Sequence, residues 1–168
     1  MYDMLAGIIA EGENYGNLVS DCKEKIQVEY VSANPTGPLH VGHGRGAAVG
    51  SALANLMKAA GMNVSREYYI NDAGNQINNL AASVNARYLQ QLGQTVEFPE
   101  NGYHGHDIIE TAERIVRIYG DRFLNMSEEE RLKEFRTIAL KEKLAALKED
   151  LEAFNVTYDE WFSEQTLH

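Results

Sequence analysis

The chain has 168 residues, 44% hydrophobic and 24% charged, with 14 glycines, three prolines and one cysteine. A chain this long buries roughly 70% of the surface its unfolded form exposes, and its composition excludes collagen-like, low-complexity and disulfide-dense folds. The net charge of −10 argues against a module that mainly binds nucleic acid, which would be basic. The length fits one domain, or one domain with an insertion. Cys22 has no partner for an internal disulfide, and no cysteine-based zinc site is open to it, which suits a reducing compartment. No stretch approaches the ~18 apolar residues of a membrane span, and residues 1–10 lack the basic region of a signal peptide.

Residues 2–11 are predicted as a short amphipathic helix with Leu5, Ile8 and Ile9 on its apolar face. Ile26, Val28, Tyr30 and Val31 mark a strand. The stretch 34–46 carries two prolines and four glycines. Ala48, Ala52, Leu53, Leu56, Met57 and Ala60 then recur at helical spacing, and Gly61 closes that helix. A second strand is predicted over 64–70, with Asn71 and Asp72 as helix N-caps. Ile77, Leu80, Ala81, Val84, Tyr88 and Leu92 mark the helix they would open, ended by Gly93. A helix joining two strands implies parallel strands and a right-handed crossover.

The second half reads as helical. After a loop over 94–105, Asp107 and Glu110 resemble a capping box for a helix that runs to Gly120. Ser127 caps another, whose first turn holds Glu128, Glu129 and Glu130, where the helix dipole favours anions. Leu140, Leu144, Leu147, Leu151 and Phe154 form a stripe expected to pack on a neighbouring helix. Residues 1–93 are thus predicted as a sheet unit and 94–168 as a mainly helical insertion packed on it, with a seam near 94–105.

The chemistry concentrates between the first strand and the next helix. Ligands of open parallel sheets bind beyond the strand carboxyl ends, and a helix N-terminus attracts phosphate. Gly42, Gly44 and Gly46 permit close backbone approach, and His40 and His43 can face one side, offering N–H donors to phosphate or ribose oxygens. Gly42, Gly44 and Ala47 also satisfy a dinucleotide fingerprint, with Glu67 downstream, but that pattern begins immediately after its strand, and two prolines intervene here. A metal site would need His104 and His106 to join His40 and His43, and nothing in the spacing links the two pairs. Histidines that merely finish a loop are the bland alternative.

Pro38-Leu39-His40-Val41-Gly42-His43 resembles the HIGH signature of class I aminoacyl-tRNA synthetases. Val28-Glu29-Tyr30-Val31-Ser32-Ala33-Asn34-Pro35-Thr36-Gly37 before it resembles the bacterial-type arginyl-tRNA synthetase family, as does Glu67-Tyr68-Tyr69-Ile70-Asn71-Asp72-Ala73-Gly74-Asn75-Gln76-Ile77 after it. The closing segment, Tyr158-Asp159-Glu160-Trp161-Phe162-Ser163-Glu164, matches more loosely. The resemblance implies an α/β fold: the first half of a Rossmann-like nucleotide-binding fold with parallel strands, the HIGH loop and a helical insertion. It implies a piece of an arginine-tRNA ligase that activates L-arginine with ATP to arginyl-adenylate and charges tRNA(Arg). The second half-sheet with its KMSKS loop and an anticodon-binding domain would lie elsewhere in the parent, and the piece alone would be inactive.

By the same resemblance His40 and His43 are catalytic, and His40, Gly42, His43 and Gly44 bind ATP. Glu29, Ser32, Asn34, Asp72 and Gln76 would serve arginine. A solvated strand charge is the alternative for Glu29, N-capping for Asp72 and a solvated helix face for Gln76. Arg45 would touch phosphate or tRNA, or lie free in solvent; Tyr68 and Tyr69 are core or pocket wall. Mg²⁺ is expected with ATP, bridging its phosphates, with no protein metal ligand and no membrane partner. A cytoplasmic location is expected. Some arginyl enzymes that lack the KMSKS lysine carry one shortly before HIGH; Thr36-Gly37-Pro38-Leu39 has none, so the parent is expected to keep the KMSKS lysine. The rivals are a stand-alone nucleotide-binding module and another class I synthetase, such as a glutamyl or cysteinyl enzyme.

Overall fold

A computed structural model describes residues 2–20 and 24–168; Cys22 lies outside the described residues. Helix α1 (Tyr2–Glu11) forms as its periodicity predicts, yet buries no residue: Leu5, Ile8 and Ile9 stay exposed. Strand β1 (Lys25–Glu29), helix α2 (Val41–Ala59) and strand β2 (Asn63–Ile70) make the expected crossover unit. The strands are parallel and in register from Lys25 opposite Asn63 to Glu29 opposite Glu67. Helices α3 (Asn75–Gln91), α4 (His106–Tyr119) and α5 (Glu128–Ala153) follow. Strand β3 (Glu160–Ser163) then pairs parallel to β2, giving a three-stranded sheet ordered β1-β2-β3. A strand inside the segment read as mainly helical was not foreseen. It places Ser163 and Glu164 at the same carboxyl edge as the ends of β1 and β2.

Two cores hold these layers. In the helical layer Leu80, Val84 and Tyr88 of α3 pack with Ile108, Ala112 and Ile115 of α4, and with Phe123, Phe135 and Ala139. The second core joins Tyr30, Ala47, Tyr68 and Ile70 to Leu151 and Val156. Tyr68 is fully buried between sheet and helix; its ring stacks on Trp161 at 4.3 Å and its hydroxyl donates to the Ala33 carbonyl at 2.9 Å. That burial pushes the Tyr68 pKa up to about 12. Because α5 carries Phe135 in one core and Leu151 in the other, a single rod of 26 residues, about 39 Å long at 1.5 Å per residue, ties the helical layer to the sheet.

Several local expectations are corrected. Helix α2 begins at Val41, so Gly42, Gly44 and Gly46 lie in its first turns and not in a loop. Asn71 and Asp72 do not cap α3; Gly74, at φ +82°, occupies that position. The Asp107–Glu110 box does not form, because α4 begins at His106, the Asp107 carboxylate takes Lys143 and Glu110 pairs with His106 at 3.1 Å. In α5 the buried positions are Arg131, Phe135, Ala139, Lys143, Leu147 and Leu151, one every fourth residue. Leu140 and Leu144 are only half-buried and Phe154 is exposed, since the side facing the other helices is set by that four-residue row. The capping box at Ser127 is present, with Ser127 N–H donating to Glu130 Oε2 at 3.1 Å and Glu130 N–H donating to Ser127 Oγ at 3.3 Å.

Gly50 of α2 is buried where a β-carbon would overlap the Tyr30 ring, itself packed on Tyr158 at 4.7 Å. Alanine improves a helix by roughly 0.5–1 kcal/mol over glycine, whereas overpacking costs about 1–3 kcal/mol. Gly50→Ala is therefore expected to destabilise the chain by ~1–2 kcal/mol in urea unfolding; an unchanged midpoint would show that Tyr30 can give way.

Candidate functional site

The chain leaves β1 through an unusual turn. Val31 and Ser32 both have positive φ, 69° and 42°, a region that β-branched residues avoid at a cost of order 1–3 kcal/mol. Ser32 N–H donates to the Tyr30 carbonyl at 3.0 Å, and Ser32 Oγ accepts from Tyr69 N–H at 3.1 Å, pinning the turn to β2. The segment then runs past exposed Asn34 and buried Pro35 to His40, the N-cap of α2.

Histidine is not a preferred N-cap, and here two of them share the task. His40 Nδ1 accepts from Gly42 N–H at 3.1 Å, and His43 Nδ1 accepts from His40 N–H at 3.2 Å. The rings stack with centroids 3.7 Å apart. A ring nitrogen that accepts a backbone N–H carries no proton, so each neutral ring has its proton on Nε2. Among the described residues, neither Nε2 has a protein partner. His43 is held below its ordinary pKa, first by burial and then by His40, which favours the neutral ring. The sign follows: the folded chain resists protonating His43, so stability is gained as pH rises from the depressed value toward the ordinary 6.5. His43→Gln is expected to flatten urea stability across that window; a variant that keeps the slope assigns it to other groups.

The glycines divide by what surrounds them. A β-carbon at Gly42 would lie 2.9 Å from His40 Cε1, so Gly42 makes room for the capping ring. At Gly44 and Gly46 a β-carbon would meet nothing within 4 Å. No packing demand of the described chain requires glycine there, although each costs a helix roughly 0.5–1 kcal/mol. Arg45 is exposed.

Asp72 sits at the end of β2, 6% exposed. Its carboxylate accepts from Ser163 Oγ at 2.6 Å and from Gln165 N–H at 3.1 Å. Its carbonyl accepts from Gln165 Nε2 at 2.9 Å and Arg136 Nη2 at 3.2 Å. Both carboxylate oxygens therefore fasten the end of β3 and the chain just beyond it to the segment leaving β2, a role that helix capping does not describe. Leaving such groups unpaired costs about 1–3 kcal/mol. Asp72→Ala is expected to lose ~2 kcal/mol in chemical denaturation, with Asp72→Asn losing nearly as much because its amide cannot accept at both oxygens; full stability of either variant would deny the fastening.

Gln76 is exposed and lines a cavity of about 310 Å³ with Asn71, Asn75, Glu164 and His168. Glu29 is exposed at the end of β1. Tyr69 lies half-buried between these groups, and its hydroxyl is held above its ordinary pKa by burial, then by Glu164, Asp72 and Glu29. Glu164, Asp72 and Glu29 thus all act electrostatically on one tyrosine, while the histidine pair stands at the β1–α2 junction. No described hydrogen bond joins His40 or His43 to Glu29, Asn34, Asp72 or Gln76. Sequence reasoning missed Glu164 and Gln165 as members of this edge; the only signal was the segment 158–164, noted for its looser match. Among the described residues no cluster of three His, Cys, Asp or Glu side chains is placed to hold a metal ion, so no protein ligand for magnesium is assigned.

The family described as tRNA synthetases class I (R), catalytic domain, matches residues 4–105. An arginine–tRNA ligase of Carboxydothermus hydrogenoformans is 59% identical over 161 residues, 96% of this chain and 29% of that protein. One of Bacillus cereus is 55% identical over 166 residues, 99% of this chain and 30% of that protein. Among solved structures, one assigned to an arginyl-tRNA synthetase of Campylobacter jejuni superposes with a TM-score of 0.85 at 33% identity, covering 99% of this chain and 36% of that one. The chain spans about 30% of the length of the curated relatives it matches. Among the described residues, no helix is long and apolar enough to cross a membrane.

Proposed function

We propose that this chain, which belongs to the family of class I tRNA synthetase (R) catalytic domains, supplies the ATP-binding histidine pair and part of the arginine site of an arginine–tRNA ligase. The whole protein would join L-arginine to tRNA(Arg) in the cytoplasm at the expense of ATP. The observation that carries the reading is the His40–His43 pair: each Nδ1 is committed to backbone N–H, leaving an Nε2–H donor on each ring at the mouth of a parallel sheet. The 59% identity to an arginine–tRNA ligase supports it. The division at residues 94–105, with the sheet unit before it, belongs to the same reading; β3 is then the strand by which the later segment rejoins the sheet.

In the proposed reaction a carboxylate oxygen of arginine attacks the α-phosphorus of ATP. An O–P bond forms, the bond to the β-phosphate oxygen breaks, and pyrophosphate leaves. The terminal ribose hydroxyl of the tRNA then attacks the activated carbonyl and AMP departs. The arginine carboxylate is ionised at pH 7, so the first step needs no general base. Catalysis rests on positioning and on donors aimed at developing phosphate charge. His40 and His43 supply neutral donors, and the open helix face at Gly44 admits the nucleotide. Mg²⁺, if bound with ATP, would supply neutralising charge to the phosphates, and no described residue is assigned to hold it. Ser32 and Asn34 would meet the α-amino end, and Glu29 and Gln76 would serve the rest of arginine, whose guanidinium takes carboxylate acceptors as natural partners. Asp72 serves this site through the segment it fastens.

The deciding experiment is ATP–pyrophosphate exchange by the whole protein with cognate tRNA and a panel of amino acids. Exchange that depends on arginine is expected, with none from glutamate or cysteine. Exchange driven by a different amino acid, or none from any, would overturn the assignment. The 168-residue chain alone is expected to give no exchange.

A further inference from the structure

Among the described residues two cations are buried, Arg131 and Lys143, and they differ in one respect. Lys143 holds the Asp107 carboxylate. Arg131, near the start of α5 and 9% exposed, is in no ion pair among the described residues. Its Nε donates to Asn85 Oδ1 of α3 at 2.6 Å, and its Nη1 donates to the Met126 carbonyl at 3.2 Å. A guanidinium has five N–H donors, so bracing α3 to α5 leaves Nη2 unspent. That nitrogen has no partner among the described residues, and protein does not seal it in. Asn85, 7% exposed, gives its Oδ1 to Arg131 and likewise leaves Nδ2 without a described partner. An arginine is rarely buried without a counter-charge, because burying a charge is costly unless it is paired.

Both side chains line one cavity of about 350 Å³ between α3, the segment after it and the start of α5. Small-molecule sites run from roughly 300 to 1,000 Å³. Ala82, Ala86, Leu89 and Val96 give this cavity an apolar wall. Glu97 and Glu128 line it too, and both are exposed, which puts the negative charge on the solvent side. Glu128 stands one turn before Arg131 on the same helix and still does not pair with it. We infer that this cavity binds an aliphatic α-amino acid as its zwitterion. The carboxylate takes N–H bonds from Arg131 Nη2 and Asn85 Nδ2, since a guanidinium matches a carboxylate in charge and in plane. The side chain lies along the apolar wall, and the ammonium faces Glu97 and Glu128. No residue of the cavity belongs to the sheet or to the histidine turn, so this site is separate from the proposed ligase site and stands apart from that reading.

The test is calorimetric titration of the 168-residue chain with L-leucine as the probe. Saturable binding at one site per chain is expected. L-Leucinamide, which lacks the carboxylate, and 4-methylpentanoate, which lacks the ammonium, should each bind about 10-fold or more weakly. Arg131→Lys keeps the charge and loses the fork, and should also weaken leucine about 10-fold or more. Because Arg131 braces two helices, a second variant leaves it in place. Ala82 is half-buried in the cavity wall, and Ala82→Leu fills the space with another good helix former; it should abolish binding with the melting curve unmoved. Glu97→Gln/Glu128→Gln changes two exposed side chains and should weaken leucine while 4-methylpentanoate binds as before or more tightly, a difference that loss of structure would not produce. No saturable binding of leucine by the wild type, equal affinity for leucinamide, or undiminished binding by a folded Ala82→Leu would each overturn the inference.

Discussion

If the proposed function holds, replacing His43 with alanine in the whole protein is expected to slow arginine-dependent pyrophosphate exchange by ~10²–10³-fold, a loss of about 2.7–4 kcal/mol of transition-state stabilisation. The magnitude is that of one preorganised donor removed from a developing oxyanion. The substitution also takes away the acceptor for His40 N–H, but that group sits at an exposed helix start, where water replaces it. The stability cost should stay below about 1 kcal/mol, in the range for exposed caps. Urea unfolding of His43→Ala beside its exchange rate separates the two effects. Near-wild-type exchange would remove His43 from the chemistry.

The largest effect on stability is expected at Lys143. Its ammonium, on a side chain 7% exposed, meets Asp107 Oδ2 at 2.6 Å, the Asp107 carbonyl at 3.2 Å and Thr111 Oγ1 at 3.3 Å. Removing one partner of a buried pair costs about 3–5 kcal/mol, because the other charge is left uncompensated, whereas replacing both can be neutral. Asp107 keeps a 24% exposed side chain, so water recovers part of the loss, and ~2–3 kcal/mol is the expectation for Lys143→Met. Adding Asp107→Leu should restore at least about half of it, since no carboxylate then remains. Urea unfolding of the two variants tests the argument. A double variant weaker than Lys143→Met would mean that Asp107 earns its stability chiefly from the start of α4.

Much of this was legible before any coordinates. Strand β1 is legible by its alternation, β2 by its own run over 64–70, their parallel pairing by the helix between them, and the cap at Ser127 by the three glutamates in the turn it opens. Legibility ended where a side chain serves a distant partner. Lys143 interrupts a leucine pattern, and local spacing cannot reveal that Asp107 waits for it 36 residues away. Asp72 has the residue type and position of an N-cap, but its hydrogen bonds lie 91 and 93 residues ahead. Strand β3 is four residues long, too short to show a period. At the site the histidines were found from their spacing and setting, whereas their mutual capping was not, because capping rules favour small oxygen-bearing side chains.

The β2–β3 pairing carries a kinetic consequence. Helices α3, α4 and α5 follow one another along the chain and can settle from nearer encounters, but β3 must find β2 across a separation of 91 residues between Asp72 and Ser163. Closing so long a loop costs entropy before it returns any contact, and parallel pairing of this kind slows folding. On a chain emerging from the ribosome, β3 therefore appears after α3, α4 and α5, and its pairing with β2 waits for it. Until it docks, the Asp72 carboxylate lacks both Ser163 and Gln165, and this carboxyl edge of the sheet stays unassembled even when every helix is already in place.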